Sequence, residues 1–152
     1  MENNNKKLIA KLNHLISIAN DGKYGYKTAA EDVEDVTLKQ LFMQYSAERE
    51  IYAEELKSRV ASFGSSPDDG GGPLGALHRT WIDIKSTLTS KDREAILKAC
   101  VTGEEAAVNA YREALDEEYI DSNVRQIITT QLSGVEAALN SIRSLVAVAK
   151  DS

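Results

Sequence analysis

The chain has 152 residues, 42% of them hydrophobic and 6% aromatic, enough to bury the core of one domain unaided. Its 24 acidic residues against 18 basic ones leave a formal net charge of −6, so it has no cationic excess for a nucleic-acid backbone or an anionic membrane surface. No apolar run approaches the roughly 20 residues of a membrane span, the start MENNNKK lacks signal-peptide character, and the single cysteine, Cys100, permits no internal disulfide, so a cytoplasmic location is expected.

In chain order, Leu8, Leu12, Leu15, Ala19, Tyr26, Ala29 and Val33 recur at helical steps and predict a first helix over about 4–34. After a break at Asp35-Val36-Thr37, Thr37 and Gln40 match a capping box that opens a second helix, about 37–63. Its stripe is Leu38, Leu41, Tyr45, Tyr52, Leu56 and Val60, and Phe63-Gly64 is a helix C-terminal signal. Residues 64–73, rich in Ser, Pro, Asp and Gly, read as a mobile loop within one domain. Leu74, Leu77, Trp81, Ile84 and Leu88 predict a short helix over 74–88. Leu97, Cys100, Val108, Tyr111 and Leu115 mark a helix over 91–117, and Val124, Ile128, Val135, Ala138, Ile142 and Leu145 another over 122–149. No segment reads as a strand.

The two short connections and the one long connection between them predict an all-α, ferritin-like four-helix bundle. In that topology the second and fourth predicted helices run parallel, and the short helix over 74–88 climbs the bundle at about 1.5 Å per residue. A simple up-down-up-down bundle with a large excursion is the alternative.

Ferritin-like di-metal centres take a Glu from each of two helices and a Glu-x-x-His from each of the other two. This chain has no Glu-x-x-His, and its two histidines, His14 and His78, have no carboxylate three positions before them. No cofactor is therefore expected.

Each core stripe is nonetheless interrupted by a polar residue near its middle. Arg49 falls between Tyr45 and Tyr52, Glu104 between Cys100 and Val108, Gln131 between Ile128 and Val135, and Asp21 stands beside Gly22 on the first helix. A one-position error in phase turns any of these by about 100° onto the solvated face. If the phases hold, a buried arginine needs an acceptor and a buried carboxylate a donor. The expectation is a mid-bundle polar layer with Arg49 forked onto Glu104 or Asp21 and completed by Tyr45, Tyr52 and Tyr111, which holds the helices in mutual alignment. The competing reading is a polar pocket for a small anion or metal.

Other groupings carry less. Glu48, Glu50, Glu54, Glu55 and the pair Glu104-Glu105 form carboxylate runs of the kind found on solvated faces. His78, Arg79 and Trp81 share the short crossing helix, where Trp81 has the apolar area to dock it. Cys100 reads as a small core hydrophobe rather than a reactive thiol.

Four segments together, Leu12-Asn13-His14-Leu15-Ile16, Asp21-Gly22-x-x-Gly25-Tyr26, Leu77-His78-Arg79-x-Trp81-x-Asp83-x-Lys85 and Gly103-Glu104-x-Ala106, give the chain a family resemblance. It resembles a bacterial family of small ferritin-like four-helix-bundle proteins of uncharacterised function. The resemblance implies that fold, a bacterial cytoplasmic origin and no established activity or cofactor. It also implies a glutamate and a histidine near the positions occupied here by Gly134 and Leu139, and this chain has neither. The sequence reading is a non-catalytic bundle that binds an unidentified protein or small ligand, its polar layer replacing a di-metal site. Self-association is compatible with it, whereas nucleic acid and membrane are not expected partners. The alternative is a di-metal iron protein or oxidoreductase with an incomplete ligand set.

Overall fold

The computed structural model describes residues 2–65 and 93–151. The short helix expected over 74–88, with His78, Arg79 and Trp81, and most of the loop expected over 64–73 lie outside the described residues. Four helices are described: α1 (Glu2–Asp32), α2 (Val36–Ser62), α3 (Arg93–Leu115) and α4 (Ser122–Asp151).

The helix ends follow from local chemistry. The cap of α2 is Asp35, not Thr37 as the capping-box pattern suggests. Asp35 is extended (φ −65°, ψ 119°), and its carboxylate accepts from the amides of Thr37 at 2.8 Å and Leu38 at 3.2 Å. An aspartate one residue before the helix satisfies free amides and also places a negative charge at the positive end of the helix dipole, an advantage a threonine hydroxyl lacks. The far end of α2 closes as a Schellman turn, with Gly64 at φ 79° donating to Ala61 O and Ser65 to Val60 O. Between α3 and α4, Asp121 Oδ1 accepts from the Val124 amide at 2.9 Å, and the Arg125 guanidinium donates to the carbonyl of Leu115 at 2.6 Å, closing the end of α3.

Side-chain pairs give the directions. Ser46 Oγ donates to Lys23 O and Lys39 Nζ to Ala30 O, so α1 and α2 are antiparallel. Arg112 meets Glu136 and Arg143 meets Glu105, so α3 and α4 are antiparallel. Arg59 bonds Asn123 while Tyr52 lies against Gly134, which sets α2 antiparallel to α4. The first residue of α3, Arg93, pairs at 3.5 Å with Asp35 at the start of α2. The second and third helices therefore run parallel and sit diagonally across the bundle, each flanked by α1 and α4. That is the ferritin-like arrangement, and the up-down-up-down alternative does not apply.

The inner faces carry two apolar clusters. One contains Leu12, Leu15, Leu56, Val60, Val108, Tyr111, Ile128 and Val135. The other contains Tyr26, Leu38, Phe42, Ile96, Leu97, Cys100, Ala138 and Ile142. On α2 the buried line runs through Phe42, with Leu41 only half-buried, because a helical turn of 3.6 residues carries the inward face from Leu38 to position 42 before it returns to Tyr45.

Candidate functional site

Between the two apolar clusters lies a layer of polar side chains. Arg49 follows Tyr45 by one turn of α2, and Glu104 follows Cys100 by one turn of α3, so the period that buries their apolar neighbours also turns them inward. Arg49 is 2% exposed and Glu104 0%. The guanidinium grips the carboxylate with both terminal nitrogens, Nη1 to Oε1 at 2.5 Å and Nη2 to Oε2 at 2.6 Å. Such a planar fork is the strongest hydrogen-bonded geometry open to this pair.

The neighbours complete the enclosure. Arg49 lies 5.7 Å from the centre of the Tyr26 ring and 5.8 Å from that of Tyr52, a cation held between two π faces. Tyr26 packs against Phe42 and Tyr45, with ring centres 5.8 and 5.2 Å apart. Tyr111 Oη donates to Gln131 Oε1 at 2.7 Å, while Gln131 Nε2 reaches Tyr52 O at 3.3 Å and Glu55 Oε1 at 3.4 Å. Gly22 on α1 faces Arg49, where an added Cβ would stand in ordinary contact, 3.4 Å from Arg49 Cγ. Arg49 Nε finds no acceptor among the described residues.

Electrostatics follow from the burial. Desolvation opposes the charge on Arg49, but the Glu104 carboxylate and its hydrogen bonds outweigh it and hold the guanidinium above its ordinary range. Burial, then the Glu104 charge, raises Tyr26 well above the usual phenol value and pushes up the Cys100 thiol. Burial likewise raises Tyr111, Tyr45 and Tyr52. The phenols and the thiol around the ion pair therefore stay protonated at neutral pH.

Of the residues expected in the layer, Arg49, Glu104, Gln131 and Tyr111 are buried in it, Tyr45 is buried at its edge, and Tyr52 is half-buried. Asp21 is not the acceptor for the fork. It is half-buried one residue away from the inward-facing Gly22, and that single step of about 100° carries it to the flank of α1. Sequence reasoning placed Tyr26 with the apolar core and overlooked its part in the layer. The signal was its position one turn after Gly22, opposite Arg49. His14 is exposed, as are Glu50, Glu54, Glu55 and Glu105, while Glu48 is half-buried. His78, Arg79 and Trp81 lie outside the described residues.

A ferritin-like di-metal centre needs several carboxylates and two imidazoles facing one another. At this level the described residues offer one fully buried carboxylate, and both its oxygens are taken by a guanidinium. A permanent cation at that point repels a second one. No group of three or more His, Cys, Asp or Glu with metal-binding geometry occurs among the described residues. The donor set of the described residues does not fit the di-metal centre.

Comparison with known proteins agrees with the fold. A family model described as a domain of unknown function (DUF2383) matches residues 7–117. Among curated proteins none matches the sequence. A solved structure of a Phe-to-Glu mutant of Dps1 from Mycobacterium smegmatis is similar, with a TM-score of 0.79 and 17% identity, over 96% of this chain and 99% of that one. At that identity the likeness is one of fold.

Proposed function

The chain belongs to the DUF2383 family, a domain of unknown function, and we propose that it is a non-catalytic ferritin-like bundle that works by binding a protein or small-ligand partner, its Arg49–Glu104 layer standing where a di-metal site would be. The fork between Arg49 and Glu104 carries this reading. It supplies internally the positive charge that bridging metals supply to buried carboxylates, and it leaves Glu104 without a free oxygen for a ligand. The net charge of −6 disfavours polyanionic partners. Among the described residues no helix is long and apolar enough to cross a membrane.

Elemental analysis of protein purified without a histidine tag, before and after incubation with ferrous iron in air, tests the reading. It expects no stoichiometric iron, manganese or zinc and no acceleration of ferrous oxidation. About two metal ions per chain, with oxidation of ferrous iron, would overturn it.

A further inference from the structure

α3 and α4, which line the polar layer with their inner faces, carry the same eight-residue pattern. Residues 105–112 read Glu-Ala-Ala-Val-Asn-Ala-Tyr-Arg and residues 136–143 read Glu-Ala-Ala-Leu-Asn-Ser-Ile-Arg. Because the two helices are antiparallel neighbours, the repeats are related by a local two-fold axis that passes between Asn109 and Asn140. The structure shows this in two reciprocal ion pairs, Arg112 to Glu136 at 3.1 Å and Arg143 to Glu105 at 3.2 Å. Between them lies a cleft of about 240 Å³, floored by Val108 and Leu139 and flanked by the two asparagines.

We propose that this face is the contact through which a second copy of the chain docks. The argument is one of charge layout. Arg112 follows Glu105, and Arg143 follows Glu136, by seven positions, about 10.5 Å along each helix. The four charged groups thus stand at the corners of a rectangle, and their signs alternate around it. When such a face meets a copy of itself across a two-fold axis lying in the plane of contact, each glutamate falls opposite an arginine of the other copy. This holds whether the axis runs along the helices or across them.

The same patch is thus self-complementary in the sense a closed two-fold dimer requires. At the centre Asn109 and Asn140, both exposed, offer amide donors and acceptors that can pair with their own copies. The outer face of a helix pair as long as α3 measures roughly 35 Å by roughly 20 Å. That approaches the ~800 Å² per partner of a standard interface.

Two variants test it. Arg112→Glu with Arg143→Glu makes all four corners negative, and Glu105→Arg with Glu136→Arg makes all four positive. The altered side chains are 40–60% exposed, so the helical fold, checked by circular dichroism, should persist. In sedimentation equilibrium the wild type is expected at twice its 16.7 kDa chain mass, each variant alone at the chain mass, and an equal mixture of the two back at twice that mass. Raising the salt concentration should shift the wild type toward monomer. A monomeric wild type, variants that associate as the wild type does, or a mixture that remains monomeric each overturns the proposal.

Discussion

Arg49 and Glu104 lie 55 positions apart on helices that face each other diagonally, and they meet in a two-pronged, fully enclosed ion pair. Removing one partner leaves the other charged and buried, so Arg49→Ala should cost on the order of 3–5 kcal/mol. Removing both charges together behaves differently. Arg49→Met combined with Glu104→Leu fills the space with apolar groups, and stability should recover substantially relative to either single change. Denaturant melts of the wild type, the two singles and the double provide the measurement. Strictly additive losses would mean that the pair contributes nothing as a pair.

Alkaline stability should depend on the buried phenols. In the unfolded chain a tyrosine ionises near 10.0, whereas Tyr26 and Tyr111 are held above that value by burial. The native state keeps protons that the unfolded state releases, so this contribution is complete below about pH 10 and is lost as pH rises through the folded values. The Cys100 thiol acts in the same direction from its ordinary 9.0 upward. Urea midpoints followed from neutral to alkaline pH should fall, and Tyr111→Phe should flatten the fall even though it sacrifices the bond to Gln131. An unchanged slope in that variant would rule out the phenol as a source.

Gly134 is kept small by Tyr52. A Cβ at position 134 would overlap the Tyr52 hydroxyl, so Gly134→Ala must push the ring aside and should destabilise by about 1–3 kcal/mol, despite the better helix propensity of alanine. In a Tyr52→Phe background the colliding oxygen is gone and the same substitution should cost markedly less. Thermal melts of the four proteins decide it. An equal cost in both backgrounds would place the obstruction elsewhere.

The fold was legible because its signals are repeated. Leu8, Leu12, Leu15, Ala19, Tyr26, Ala29 and Val33 all fall inside, since a single phase error cannot survive seven agreeing positions. Connection lengths then separated a ferritin-like bundle from a simple one. Single residues were less legible. Asp21 is one step from Gly22, and nothing local distinguishes a half-buried aspartate from a buried one. Thr37 has the form of a cap, but Asp35, two residues earlier, takes the role, because its carboxylate reaches the amides of Thr37 and Leu38. The repeat shared by 105–112 and 136–143 is plain in the sequence, yet it acquires meaning only when the two helices are known to be antiparallel neighbours.

The layer between the apolar clusters also governs how the bundle can move along its own axis. Leucine and valine rows allow one hairpin to slide past another by a turn, about 5.4 Å, because one methyl group replaces another. A guanidinium and a carboxylate allow no such substitution, and the same slide would drive Arg49 among aliphatic side chains with nothing to accept its protons. The fork spans the bundle from α2 to α3 and so belongs to both hairpins, barring the slide for each. Fraying that starts at either end can melt one cluster, but an opening that withdraws only one of the two helices from the layer leaves the charge on the other buried without its partner.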